Sequence, residues 1–265
     1  ATRVAVLDWG LVEVVLALGL VPVGVARPPW YRQLDGNPPL PPQVADTGLL
    51  YQPNFEVLQD LRPDLILVNA QHAPLLPMLE RIAPTLTASL QEPGRGVYAQ
   101  VRLQTARLGA ALERDAEATA VLRRTEATIA AGGARLAAAG ATARPLLLIK
   151  PIDARHFSVH GPQGLFGGVL HELGLRNAWT APTDFQGMAE TDLAALATAA
   201  DARAVIFGKA PGLLQALAQS PLWQALPLVR QGRVHALEAF YPLGGPVTAM
   251  RFAQALTAAL AGADP

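Results

Sequence analysis

Pro53-Asn54-Phe55-Glu56-Val57-Leu58-Gln59-Asp60-Leu61, then Arg62-Pro63-Asp64, then Leu65-Ile66-Leu67-Val68 is the stretch on which the fold turns. Proline is tolerated at a first helical position, and the apolar residues after it fall three or four apart, so the first part reads as a short amphipathic helix. Arg62-Pro63-Asp64 stops that helix, because proline cannot continue the turn and disfavours helix in the residue before it. The apolar run that follows reads as a strand. Helix into strand is one unit of an α/β layer, and the residues on either side repeat it.

Upstream, Arg3-Val4-Ala5-Val6-Leu7-Asp8 has the β-branched character of a buried parallel strand, Leu11 to Leu18 has helical apolar spacing closed by Gly19, and Leu20 to Val25 reads as the next strand. Pro28, Pro29, Pro38, Pro39, Pro41 and Pro42 then predict a long connection without regular structure, at a functional rim. Downstream, Leu75 to Ile82 reads as helix and Thr85 to Leu90 as strand, completing a first lobe whose sheet is mainly parallel.

Val97 to Leu136 holds almost no breakers, and Leu103, Leu108, Leu112, Val121, Leu122 and Ile129 recur at near-helical spacing. One helix of about 35 to 40 residues, roughly 55 Å long, is the expectation; two helices with a bend near Gly109 is the alternative. After Gly140 the pattern starts afresh with the strand Pro145-Leu146-Leu147-Leu148-Ile149-Lys150, a helix from Leu165 to Leu173, a strand from Ala204 to Phe207 and a closing helix from about Val247 to Leu260. The expected fold class is therefore α/β, with two Rossmann-like lobes, residues 1–98 and 141–265, joined by a single long backbone helix over 99–140.

Composition narrows the function. The 21 basic and 21 acidic side chains cancel, so nothing in the charge points to nucleic acid or an anionic membrane. The absence of cysteine excludes disulfides, thiolate metal sites and a cysteine nucleophile. Leu11 to Val25, the longest apolar stretch near the start, is broken by Glu13, Gly19, Pro22 and Gly24 and falls short of the roughly 20 apolar residues of a membrane span. Ala1 is not an initiator methionine, so an export signal removed ahead of it is expected.

No phosphate-binding loop, dinucleotide glycine fingerprint, His-Glu-x-x-His or Gly-x-Ser-x-Gly elbow occurs in the sequence. His156 and His160 have i,i+4 spacing, but Phe157-Ser158-Val159 between them reads as extended, which argues against a direct metal site. Glu190 and Asp192 read as a solvated helix start rather than an acid–base pair. No catalytic activity and no cofactor are expected.

Pro53 to Leu67 resembles the helix-plus-strand hallmark of the periplasmic binding proteins for siderophores, haem and cobalamin. The resemblance sharpens to the ferric-hydroxamate (ferrichrome-type) siderophore-binding proteins of ABC importers through Val14-Val15-Leu16-Ala17-Leu18-Gly19, Pro38-Pro39-Leu40-Pro41, Arg81-Ile82-Ala83-Pro84, Arg144-Pro145-Leu146-Leu147-Leu148, Asp153-Ala154-Arg155-His156, Asn177-Ala178-Trp179 and Pro221-Leu222-Trp223-Gln224-Ala225-Leu226-Pro227. These cover nearly the whole chain in order.

The resemblance implies a periplasmic monomer that holds an iron(III)-siderophore complex in a cleft between the lobes and delivers it to an inner-membrane ABC permease. Haem or a cobalamin-like ligand on the same scaffold, and less so an enzyme, are the alternatives. The family pairs an arginine and a tyrosine in the first lobe with several tryptophans. The matching positions here are Leu50, His72, Leu34, Gln186 and Tyr241, and only Trp9 is kept. A leucine cannot supply the charge-assisted bond of the arginine, roughly 1.5 to 3 kcal/mol, so the ligand is expected to differ. Lys150 stands where the family has a neutral residue, and strand alternation puts Ile152 on its side; a lysine there favours an anionic complex such as a carboxylate or mixed citrate–hydroxamate siderophore, with His72 as a further donor. Solvent exposure at a strand end is the plainer reading of Lys150. Tyr31, Tyr51, Phe185 and Tyr241 are the candidate walls. Glu56 matches an acidic residue that meets permease arginines, and on the second lobe Glu190 and Asp192 stand near the equivalent position.

Overall fold

The computed structural model describes residues 3–34, 36–208 and 211–262. They form two compact units. The first holds the residues up to Glu92, Ala99–Thr125 and Leu243–Thr248; the second holds Pro93–Tyr98, Glu126–Pro242 and the residues from Ala249 on.

In the first unit, β1 (Val4–Val6) runs into α1 (Trp9–Ala17) through Asp8, whose carboxylate accepts the Leu11 amide and so satisfies one of the donors a helix start leaves open. Gly19, at φ 75°, turns the chain toward β2 (Gly24–Val25). The proline-rich connection departs from expectation. Pro28 and Pro29 open a helix, α2 (Pro28–Leu34), because a first-turn proline lacks only an N–H that would have had no partner. Short strands β3 (Ala45–Asp46), β4 (Gly48–Leu49) and β5 (Gln52–Pro53) follow, the last two forming a hairpin. Asn54 caps α3 (Phe55–Leu61) by accepting from Glu56 and Val57, and Arg62 ends it at φ 44°. β6 (Leu65–Val68) comes next. The helix expected over 75–82 is a 3-10 helix, Ala70–Leu75, followed by α4 (Leu76–Leu79), with Pro74 inside the first. After β7 (Thr85–Thr87) the sheet is complete, in the order β3-β2-β1-β6-β7 with every pairing parallel. Ala5, Leu7, Leu58, Ile66, Val68 and Leu79 are the core of one face.

The expected single helix over 97–136 is two helices, α5 (Val97–Ala111) and α6 (Asp115–Ala138). Glu113 takes φ 57°, a left-handed conformation that no α-helix contains. Asp115 and Glu117 then place negative charge on the first turn of a new helix, where the dipole favours it. Gly109 permits the turn: a Cβ there would lie 2.5 Å from that of Ala118.

The second unit contains β8 (Leu146–Pro151), β9 (His156–His160), α7 (Leu165–Glu172), β10 (Met188–Asp192), α8 (Leu193–Thr198), β11 (Arg203–Phe207), α9 (Pro211–Gln219), α10 (Pro221–Ala225), α11 (Pro227–Arg230) and β12 (Val234–Leu237); α12 (Pro246–Ala261) closes the chain. Its sheet has the order β10-β9-β8-β11-β12, antiparallel through β9 and parallel from β8 to β12. Strand alternation sends Leu147, Ile149, Val159 and Ile206 to one face, packed with Trp223 and Leu228. The other face carries Phe207 and His160, packed with Phe166. Among the described residues no helix is long and apolar enough to cross a membrane.

Candidate ligand-binding site

Strand order in the first sheet reverses at β1 and β6, which are neighbours while the chain leaves them toward opposite edges. In open parallel sheets the crevice at the carboxyl ends of such strands is where ligands bind. The residues placed there are Asp8 and Trp9 after β1, Arg27 and Trp30 after β2, and Asn69 and His72 after β6, with Tyr51 at the tip of the β4–β5 hairpin.

A polar chain ties this rim together. Asn69 Nδ2 donates to Asp8 Oδ2 at 2.8 Å and lies 3.4 Å from the Tyr51 hydroxyl. Asn69 Oδ1 accepts the Gln71 amide at 2.9 Å, which fixes the orientation of the carboxamide. His72 is fully buried, its Nε2 2.7 Å from the Leu50 carbonyl and its Nδ1 2.9 Å from Asn69 Oδ1. A carbonyl only accepts, so Nε2 carries a hydrogen committed to Leu50. The expectation that His72 donates to ligand oxygens is therefore corrected. Nε2 is spent holding the hairpin carbonyl, Nδ1 is closed off against Asn69 at the end of β6, and the ring lies under Tyr51, centroids 4.9 Å apart. Leu50 is half-buried, and its carbonyl serves the same bracket. Tyr31 is corrected as a wall residue: it is buried and its hydroxyl donates to the Pro38 carbonyl at 2.8 Å.

Aromatic surface does remain open. Trp9 donates its indole N–H to the Ala26 carbonyl at 2.7 Å and lies parallel to Trp30, with 4° between planes and 6.1 Å between centroids. Trp30 is 46% and Tyr51 43% exposed. The guanidinium of Arg27 stands 5.5 Å from the centre of the Trp30 ring, a separation at which a cation is drawn to the ring face. The reading of residues 28–42 as irregular hid Trp30 and Arg27. Arg27-Pro28-Pro29-Trp30 right after a strand, with proline starting a helix, was the available signal.

In the second unit, β8 ends with buried Ile149, exposed Lys150 and buried Pro151, and Ile152 beyond them is exposed again. Lys150 pairs in register with Ser158, and Ser158 with Glu190. Asp184 Oδ1 accepts the amides of Gln186 and Met188, which builds the turn that leaves Phe185 exposed and Gln186 half-buried. Tyr241 is half-buried in the segment after β12. His160 is buried against Phe166 and Phe207; burial pushes its pKa down to about 4, and the nearby charge of Lys150 adds to the effect.

His156 and His160 do not form a metal pair. Four residues of strand separate them by roughly 13 Å, and His156 is bound to Asp153, Nδ1 to Oδ2 2.8 Å. The Arg155 amide and then the His156 ring and amide hold Asp153 down at about 2. Among the described residues there is no group of three or more His, Cys, Asp or Glu able to hold a metal ion. Glu56 is exposed on α3. Glu190 lies within β10 rather than at a helix start, which corrects that expectation, whereas Asp192 does cap α8 by accepting the Ala195 amide at 2.9 Å.

Residues 4–240 match the periplasmic binding protein family. The iron(3+)-hydroxamate-binding protein FhuD of Escherichia coli is 36% identical over 98% of this chain and 87% of its own length. The Fe(3+)-citrate-binding protein YfmC of Bacillus subtilis is 24% identical over 88% of this chain and 72% of its own. The structure of FhuD from Vibrio cholerae bound to Fe3+-Desferal superposes with a TM-score of 0.92 at 28% identity, covering all of this chain and 99% of that one. These relatives are binding proteins, and their mixed α/β two-domain fold is the one described above. By sequence over nearly its whole length, the chain belongs to the periplasmic binding protein family.

Proposed function

We propose that this protein captures an iron(III)-siderophore complex, of hydroxamate or mixed citrate type, outside the cytoplasm and hands it to the permease of an ABC importer. The observation that carries the reading is the exposed rim at the switch point of the first sheet, where the Trp9–Trp30 stack, Tyr51 and Arg27 offer flat apolar surface and positive charge together. A ferric siderophore presents the complementary surface, an apolar scaffold around a cluster of metal-bound oxygens. The likeness to FhuD of two organisms supports the hydroxamate class, and that to YfmC the citrate class.

In the second unit, Lys150 at the carboxyl end of β8 and Tyr241 after β12 are the proposed ligand-facing groups, with Ile152, Phe185 and Gln186 as lesser contacts. Glu56, exposed on α3, is the proposed contact for a permease arginine, and Glu190 its counterpart in the second unit. Isothermal titration with ferrichrome, ferrioxamine B and ferric dicitrate tests the function. Saturable one-to-one binding of at least one, without chemical change of the ligand, is expected. Binding of none refutes it.

A further inference from the structure

We propose that Arg27 supplies the positive charge of the first unit's ligand surface, and that it biases this protein toward ferric complexes whose chelating oxygens carry uncompensated negative charge. The inference rests on the function proposed above and goes further in naming the group and the ligand charge it selects.

Three observations converge on Arg27. Its backbone lies in the left-handed region, φ 43°, a conformation that costs a residue with a Cβ roughly 1 to 2 kcal/mol. The chain is pinned there from both sides. The Arg27 amide donates to the Gly48 carbonyl and to Asp46 Oδ1, and its carbonyl accepts the Trp30 amide that starts α2. Glycine would satisfy those bonds without strain, so backbone geometry alone gives no reason for a side chain at this position.

Packing gives no reason either. Arg27 is exposed, and among the described residues no carboxylate pairs with its guanidinium. What the guanidinium does meet is the ring of Trp30. The strained backbone therefore holds a guanidinium beside the aromatic stack at the carboxyl-end rim, next to the residues that the polar chain from Asp8 to Tyr51 keeps in place. A guanidinium has five N–H donors in a planar fork and matches carboxylate or hydroxamate oxygens two at a time. Leu50 and His72 offer no such group: one side chain is aliphatic, and the other is buried with its N–H committed to the Leu50 carbonyl.

Arg27→Gly is the informative variant, since it removes the charge and relieves the strain together. Titrations of the wild type and of Arg27→Gly against anionic ferric dicitrate, neutral ferrichrome and cationic ferrioxamine B should show the variant losing tenfold or more on ferric dicitrate, about the worth of one charge-assisted contact. Ferrichrome, whose hydroxamate oxygens carry no net charge beyond that of the iron, should lose at least about threefold less than ferric dicitrate, and the melting temperature should hold or rise. Arg27→Lys should recover part of the loss. Equal losses on all three complexes, unchanged affinity for ferric dicitrate, or wild-type binding of ferrichrome but not ferric dicitrate would each overturn the inference and leave the proposed function standing. A wild type that binds none of the three removes both.

Discussion

The carboxylate of Glu13 accepts the backbone amide of Thr248 at 2.8 Å and its hydroxyl at 2.7 Å, across 235 residues of chain. The Gly245 amide donates to the same carboxylate at 2.8 Å, and Glu13 is only 3% exposed. A buried carboxylate is stable there because it meets donors at the start of α12, the positive end of a helix. Glu13→Ala should therefore remove the acceptor of three buried hydrogen bonds and cost about 3 kcal/mol or more. Glu13→Gln should cost less, since one acceptor oxygen survives while an NH2 group faces the remaining donors. Chemical denaturation of the two variants reads the difference; equal stability of Glu13→Ala and wild type would contradict the role.

His72 should behave as a structural residue. His72→Phe removes the bond to the half-buried Leu50 carbonyl and loosens the hairpin, which should cost roughly 1 to 3 kcal/mol. Ligand affinity measured well below the melting temperature should change by less than about threefold. A large loss of affinity with an unchanged melting temperature would place the ring against the ligand instead.

Trp30 should behave in the opposite way. Exposed as it is, Trp30→Ala should shift stability by less than about 1 kcal/mol. It removes stacking surface worth roughly 0.5 to 1.5 kcal/mol beyond its area, so ligand affinity should fall about tenfold. Titration calorimetry with the complex that binds the wild type decides it.

His160 makes stability depend on pH. Its folded pKa of about 4 lies below the ordinary 6.5, so between those values the unfolded chain binds the extra proton. Stability from this group is therefore complete above about pH 6.5 and is lost as pH falls toward 4, by about 3 kcal/mol. From pH 7 to pH 4 the stability of wild type should fall by about 3 kcal/mol relative to that of His160→Phe, read from denaturation midpoints. Parallel curves would show that His160 does not titrate in this range.

Lys150 provides a cross-check. Its charge helps to hold the His160 pKa down, so Lys150→Met should move the His160 titration upward in an NMR experiment while burial keeps it below 6.5. No movement would separate the two side chains.

Sequence periodicity carried the elements whose identity depends on their own residues. β1, β6, β8 and β11 are short apolar runs between breakers, and α1, α7 and α12 carry their own spacing, so all seven appear where the pattern places them. The errors have local causes. Proline predicts a break at 28–34, whereas at a first helical turn it costs nothing and a helix forms. Gly109 marks the alternative of two helices, which is the one that forms, but the reversal itself falls four residues later, where a glutamate takes the left-handed conformation.

Of the site, Trp9 and Tyr51 were legible as aromatics. The burial of His72 and Tyr31 was not, since it depends on where the Leu50 and Pro38 carbonyls fall after folding. Arg27 and Trp30 emerged only once the carboxyl end of β2 had a position beside that of β1.

The bond from Glu13 to Thr248 also sets an order in time. α1 is synthesised 235 residues ahead of the donors that its buried carboxylate requires, and those acceptors wait for them. At roughly 5 to 20 residues per second, the 235 residues between them take roughly 10 to 50 s to make. Gly10 waits as well, since its Cα packs so close to the Leu243 carbonyl that an added Cβ would come within 2.4 Å. Through that interval the nascent first unit lacks the contacts that finish it.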